Sequence, residues 1–390
     1  MTDGKQDRKK APLGWIALAV LVVALGVGIL FSLGPWGDGQ EKLRIGAILP
    51  LTGDSASWGK QGRWGIELAV REVNESGGID GKQVEVVYED SQAIPRLGVA
   101  AFSKLTKVDE VPAVVGDIVS ATTLAMAPHA EEQKVVLMGI STSAPAITNA
   151  GTFTFRVWPS DNLEGAAAAD WANSKGYKKV SVLHMANDYG AGLAGAFKSR
   201  FAGYGGSVVS VQSYAQDQTD FRSNLTRAKA DAPDVLYIIG YYKDVALALK
   251  QARELGLSMV FMGPTAVENP NLLSIAGDAA EGLIYPTVVD FDPANPTKRQ
   301  SEFIEKFRAA NGTDPDWASS HAYDAALVIL EAMKSGARTG EQIRATIDSR
   351  REFEGVTGTI RFDEHGDVID KRIIIKTVRN GKFTVLAGTE

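Results

Sequence analysis

Residues 111–149 read VPAVVGDIVSATTLAMAPHAEEQKVVLMGISTSAPAITN. Two short apolar runs stand in this stretch, Ala113–Val115 and residues 135–140. Small hydroxyl residues follow each run: Ser120, Thr122 and Thr123 after the first, Ser141, Thr142 and Ser143 after the second. Residues 121–133 between them have helical character. The pattern predicts strand, helix, strand, with hydroxyls at the carboxyl ends of both strands. In an open α/β sheet that edge is where ligands bind. A Ser at the mouth of a helix offers its Oγ and the free N–H groups of the first turn, a natural seat for an anion. Taken alone, Ser120 could equally do no more than cap its helix.

The same rhythm extends in both directions. Upstream, LRIGAIL at 43–49 predicts a strand, broken by Pro50-Leu51-Thr52-Gly53, with Trp58 in the loop that follows. Residues 61–74 have an apolar face at Ile66, Leu68, Ala69, Val70 and Val73 and predict a helix. QVEVVY at 83–88 predicts a second strand and 96–107 another helix. Downstream, strands are expected at 153–158, 179–184, 207–214, 234–240 and 260–263, and helices at 160–174, 193–202, 221–229 and 244–255. Two βα arrays of similar size predict parallel sheets covered by helices, in two lobes around a cleft. Asp290, Asp292, Pro293 and Pro296 mark a linker, long helices are expected at 299–311 and 317–334 with a smaller one near 341–349, and the tail from Gly358 alternates like hairpin strands with a turn at Asn380-Gly381.

The 390-residue chain carries a net charge of −6 and no cysteine. Disulfides, thiolate metal sites, cysteine nucleophiles and an acylated lipoprotein anchor are thereby excluded. No basic stripe interleaved with aromatics points to nucleic acid. His129, His184, His321 and His365 are scattered without metal-ligand spacing, so neither a metal nor another cofactor is expected. At the N-terminus, Lys5, Arg8, Lys9 and Lys10 precede the charge-free run 14–33, long enough to span a bilayer as a helix. No A-x-A-like site follows it, and Trp36 suits a membrane interface. The expectation is an uncleaved signal anchor: residues 1–13 a cytoplasmic basic tail, 14–33 the transmembrane helix, 34–42 a tether, and the remainder outside the cytoplasmic membrane. The alternative is a cleaved signal peptide releasing the chain to the periplasm.

Gly190-Ala191-Gly192-Leu193-Ala194-Gly195 spells GxGxxG. Residues 185–189 separate it from its strand, and the next strand ends without the acid that would hold a ribose, so no dinucleotide is expected. Tyr189 precedes this motif, and Tyr241 and Tyr242 end a buried strand. Strand neighbours face opposite ways, so at most one of that pair should face a ligand. No nucleophile elbow or Ser–Lys signature stands out, and the chain is not expected to be an enzyme.

From about residue 43 to 389 the chain resembles the type I periplasmic solute-binding proteins, the branched-chain amino-acid and amide group of ABC transporter receptors. The motifs that carry the resemblance are IGAILPLTGDSASWGKQGRWGIELAVREVNESGGIDG, VVGDIVSATTLAMAP, NDYGAGLAGAFK, YIIGYYKD, QARELGL, FMGP with IAGDAAEG, and AYDAALVILEAM. The resemblance implies two Rossmann-like lobes with parallel central sheets joined by three crossovers. Lobe one would comprise 43–158 and 289–364, and lobe two 159–288 and 365–390. It places the first-loop aromatic on Trp58, the carboxylate-binding turn on Ile118, Val119 and Ser120, and a second hydroxyl turn on Ser141 and Ser143. The stacking tyrosine falls on Tyr189 and a later one on Tyr241 or Tyr242.

One departure stands out. Where the amino-acid binders of this family carry a Glu for the ligand ammonium, this chain has Thr265, after Met262-Gly263-Pro264. A buried ammonium needs a partner charge. Either Glu268 or Asp117 supplies it, or the ligand is an aromatic or aliphatic carboxylate, a keto acid or an amide; the absence of the Glu favours the second. The implied function is a solute receptor whose lobes close on a small carboxylate or amino-acid-like ligand and which hands it to an ABC permease in the membrane. The alternative is a sensor of the same fold that signals to a membrane partner.

Overall fold

A computed structural model of the chain describes residues 1–3, 42–288 and 296–386. The expected anchor and the acidic, Pro-containing part of the linker at 290–293 lie outside the described residues. Among the described residues no helix is long and apolar enough to cross a membrane.

Five strands form the first sheet: β1 (Leu43–Leu49), β2 (Val84–Asp90), β3 (Ala113–Val115), β4 (Val136–Gly139) and β5 (Thr154–Arg156). Their order is β2-β1-β3-β4-β5 and every pairing is parallel. β1 and β3 are buried along nearly their whole length, as a sheet covered on both faces requires. The second sheet begins with β6 (Lys179–Met185), β7 (Ser207–Tyr214), β8 (Val235–Ile239), β9 (Val260–Met262) and β10 (Ile284–Val288), again parallel. A small antiparallel sheet follows, β11 (Glu352–Gly355), β12 (Gly358–Phe362) and β13 (Val368–Ile369). The pairing of β13 with β12 runs past residue 364, where the sequence placed the last lobe boundary. The hairpin β14 (Ile373–Arg379) and β15 (Lys382–Val385) then closes the second sheet antiparallel to β10, in the order β15-β14-β10-β9-β8-β6-β7. Its turn at Asn380-Gly381 has φ of 53° and 65° at the two central residues, the geometry a two-residue hairpin demands.

The chain therefore passes between the two large sheets three times: after β5, after β10 and after β13. The long helix Trp317–Lys334 returns from the second passage to pack on Ala56–Glu75 beside the first sheet. The contact is close enough that a Cβ on Gly65 would lie 2.1 Å from the Ser319 carbonyl oxygen. One consequence differs from the sequence expectation. The helix starts at Ala56, so Trp58 sits in its first turn and not in a loop. The reason is at Gly59, where a Cβ would lie 2.0 Å from the Pro50 carbonyl oxygen; glycine lets the helix begin directly against the end of β1. The GxGxxG motif is also structural. Gly190 lies over the Met185 carbonyl, 2.2 Å from where a Cβ would be, and Gly192 lies against the Pro145 ring.

Candidate functional site

The carboxyl ends of β3, β4, β8 and β9 face one cavity. Nine residues anticipated from the sequence line it: Trp58, Ile118, Val119, Ser120, Ser141, Ser143, Tyr189, Tyr241 and Thr265. Tyr242 does not. Tyr241 is the last residue before the helix Tyr242–Glu254, and Tyr242, the first residue of that helix, goes instead to the Asp54 carbonyl and packs against Trp58. Four further residues line the cavity that the sequence reading passed over: Trp158, Glu164, Ala266 and Trp317.

One end of the cavity is polar because of the turn after β3. Ser120 opens the helix Ser120–Gln133, and the N–H groups of that first turn have no partner inside the helix. Its Oγ accepts the Ala144 N–H at 3.2 Å, which leaves the hydroxyl hydrogen free to donate. Ser141 Oγ donates to the Ile118 carbonyl at 3.1 Å. The N–H groups of Ile118 and Val119 are already taken by Asp117 Oδ1, so these two residues contribute wall and carbonyls in place of N–H donors. Ser143 is held in place from behind by Arg156. That guanidinium is fully buried and forks onto Asp367 with two contacts of 2.7 Å, and it donates to the carbonyls of Thr142 and Ala144 on either side of Ser143 and to Thr148 Oγ1. All its donor directions are spent on this scaffold.

A carboxyl group stands elsewhere in the same cavity. Glu164 lies in the first turn and a half of the helix Asp161–Ser174, capped by Ser160, and is 3 % exposed. Thr265 holds it. The Thr265 N–H donates to Glu164 Oε1 at 2.9 Å, and Thr265 Oγ1 lies 3.0 Å from Oε2 and 2.9 Å from the Pro286 carbonyl oxygen. A hydroxyl has one hydrogen. With that hydrogen on Pro286, Thr265 Oγ1 is an acceptor for a protonated Glu164. Burial pushes the Glu164 carboxyl up to about 7, and Thr265 restrains the rise. Asp161, one turn earlier and wholly buried, is pushed well up by burial and by Glu164, with Ser143 and Arg156 pulling the other way. Neither Asp161 oxygen meets a hydrogen-bond partner at good geometry.

The acid that the sequence sought at Glu268 or Asp117 is therefore at neither. Glu268 is paired with Lys376 at 2.6 Å and Asp117 is committed to its own turn; neither lines the cavity. Glu164 is the one carboxyl among the described lining residues, and Thr265 is the residue that holds it. In the sequence Glu164 is one of two acids in the first turn after Ser160, a pattern the helix dipole alone explains. The available signal was at Trp158, a strand-end aromatic of the same kind as Tyr241.

The remaining wall is aromatic. Tyr189 stacks on Tyr241 at 5.9 Å, Tyr241 meets Trp58 edge-on at 5.3 Å, Trp58 meets Trp317 at 5.4 Å, and Trp317 meets Trp158 at 5.6 Å. Over the cavity, elements beside the first sheet touch elements of the second. Tyr242 OH donates to the Asp54 carbonyl at 2.6 Å, Lys243 Nζ lies 2.6 Å from Asp54 Oδ2, and Trp317 Nε1 donates to the Glu268 carbonyl at 3.2 Å.

A family model described as "Periplasmic binding protein" matches residues 42–382. The leucine-, isoleucine-, valine-, threonine-, and alanine-binding protein of Pseudomonas aeruginosa is 31% identical over 333 residues, 84% of this chain and 87% of that one. The crystal structure of a leucine-binding protein from Thermotoga maritima superposes with a TM-score of 0.81 at 32% identity, covering 88% of this chain and 98% of the other. A solute-binding protein of an ABC transporter from Rhodopseudomonas palustris BisB5, solved with 3,4-dihydroxybenzoic acid, gives a TM-score of 0.77 at 27% identity over 88% and 95% of the two chains.

Proposed function

Since the chain belongs to the periplasmic binding protein family, and its relatives are solute-binding proteins and not enzymes, we propose that it is the extracytoplasmic receptor of an ABC-type uptake system for a small zwitterion. The carboxylate of the ligand docks on Ser120, Ser143 and the open helix turn. Its amine meets Glu164, and its apolar body packs among Trp58, Tyr189 and Tyr241. Lobes divided as the sequence implies close over it about the crossovers, and an ABC permease reads the closed form.

The observation that carries the reading is a single cavity holding both a hydroxyl-and-helix-start anion seat and one buried carboxyl, Glu164, with no basic side chain among the described lining residues. Calorimetric titration of the protein with α-amino acids, aromatic acids, keto acids and amides tests it. Saturable binding of amino acids that is lost in Glu164→Gln is the expected result. Binding confined to acids without an amine refutes it and favours an aromatic carboxylate. That second reading has one observation behind it: a carboxyl titrating at about 7 also serves as a hydrogen-bond donor.

The charge-free run 14–33 behind a basic tail supports a membrane-anchored receptor. Alkaline carbonate extraction of membranes and N-terminal sequencing of the mature protein test this, and a mature chain beginning after residue 33 refutes it.

A further inference from the structure

Five rings form an unbroken wall of the cavity. Tyr189, Tyr241, Trp58, Trp317 and Trp158 each touch the next, with centroids 5.3–5.9 Å apart. Three of the four contacts are steeply inclined, at 88°, 57° and 65°, so the rings turn corners as the walls of a box do and do not lie in one plane. The box is held rigidly. Trp317 is tied by its Nε1 to the Glu268 carbonyl, Glu268 is tied to Lys376, and the His321 ring lies 4.5 Å behind Trp158. Burial keeps that imidazole neutral, its pKa down to about 3.

The electrostatics of such a box are one-sided. Aromatic faces carry negative potential and attract cations. Glu164 adds the only carboxyl among the described lining residues, and no lysine, arginine or histidine joins it. The nearby Arg156 is bound to Asp367 and cannot serve as its counter-charge.

The form of the cation follows from its hydrogens. A primary ammonium brings three N–H donors that must all find acceptors once buried. Here the Thr265 N–H already takes a site on Glu164 Oε1, and Thr265 Oγ1 crowds Oε2 at 3.0 Å. An N-methylated ammonium has fewer N–H groups, or none, spreads its charge over methyl groups, and presents a surface that ring faces solvate well. We infer that the preferred ligand is a betaine-type zwitterion, an amino acid whose nitrogen is methylated, with the methylated cation inside the ring box opposite Glu164. The inference rests on the zwitterion reading above and adds the methylation.

The test is isothermal titration of the full-length, detergent-solubilised chain with pairs that differ only in N-methylation: glycine and glycine betaine, proline and N,N-dimethylproline, leucine and N,N,N-trimethylleucine. The methylated member of at least one pair should bind about tenfold or more tighter than its parent. Trp158→Leu should then weaken that ligand by roughly 3- to 30-fold while weakening the parent amino acid less. Equal or tighter binding of every parent overturns the inference and leaves the zwitterion reading standing. Tightest binding of benzoate, which has no amine, overturns both. Absence of saturable binding by all methylated members also overturns the inference, and that comparison does not depend on any variant folding.

Discussion

Replacing Glu164 by Gln should stabilise the protein at alkaline pH and change little near pH 5. The carboxyl is buried and titrates at about 7 where an unperturbed Glu titrates at 4.5. A folded-state pKa above the unfolded value means the folded protein keeps a proton that the unfolded chain has released. The cost of burying this group is therefore absent well below pH 4.5, grows between 4.5 and 7, and is complete above 7. At 1.36 kcal/mol per pH unit it reaches about 3 kcal/mol at pH 8 and stays under about 1 kcal/mol at pH 5. Gln avoids the cost and keeps the contacts. Its carbonyl can accept the Thr265 N–H, and its amide can donate to Thr265 Oγ1, whose own hydrogen goes to the Pro286 carbonyl. Removing the charge also relieves Asp161, in the same direction. Thermal denaturation without ligand should show the variant melting about 4 °C above the parent at pH 8 and within about 1 °C of it at pH 5. An equal difference at both pH values, or a loss at pH 8, would refute the argument, because Glu164 would then ionise in the folded protein as an exposed carboxylate does.

Ser120→Ala should weaken a carboxylate ligand by about 1–3 kcal/mol, since it removes a buried donor and also strands the Ala144 N–H; unchanged affinity by calorimetry would remove Ser120 from the site. Tyr242→Phe keeps the ring against Trp58 at 5.1 Å and deletes the hydrogen bond to the Asp54 carbonyl. It should cost about 1 kcal/mol of affinity, seen in stopped flow as faster release, and an unaltered release rate would show that this contact does not hold the cleft shut. Thr265→Glu sets a third carboxyl beside Glu164 and Asp161 and should lower the melting temperature at pH 8 by several degrees. Adding Glu164→Gln should recover most of that loss, and no recovery would contradict the assignment of Thr265 as the residue that holds Glu164.

The α/β architecture was legible because the strands are short apolar runs closed by Gly, Pro or hydroxyl residues, a local pattern. The site residues at strand ends were legible for the same reason: the carboxyl edge of a parallel sheet collects whatever follows each strand, and Ser120, Ser143 and Tyr241 lie in the short turns that follow β3, β4 and β8. Glu164 and Trp317 follow no strand. Each lies in a helix whose opening reads as ordinary capping: Ser160 before Asp161 and Glu164, and Asp316 before Trp317 and Ser319. What sets them apart is burial against a distant segment, Thr265 for one and Glu268 for the other, and nothing within a window of sequence reports that. The misplacement of Trp58 has the same origin. The start of its helix is decided by the distance from Gly59 to Pro50, a tertiary contact.

The pairing of Glu164 with Thr265 bears on what the family resemblance can say about ligand. A motif compares position with position, so a Thr where a Glu is expected reads as a lost charge. A cavity compares only what faces inward, and there the charge is present, carried by a different helix and braced by that same Thr. The charge is also conditional. Held at about 7 by burial, the Glu164 carboxyl is able near neutral pH to carry either a negative charge or a hydroxyl hydrogen. Among the similar structures one is a leucine-binding protein and another holds a dihydroxybenzoic acid, so a common fold accommodates ligands with and without an amine. In this chain, ligand class and proton occupancy of Glu164 are one question: an amine binder must release the proton from Glu164 on binding, and an aromatic-acid binder must retain it. Titration in two buffers of different ionisation enthalpy at pH 6.5 separates the two, since only the first displaces a proton into the buffer.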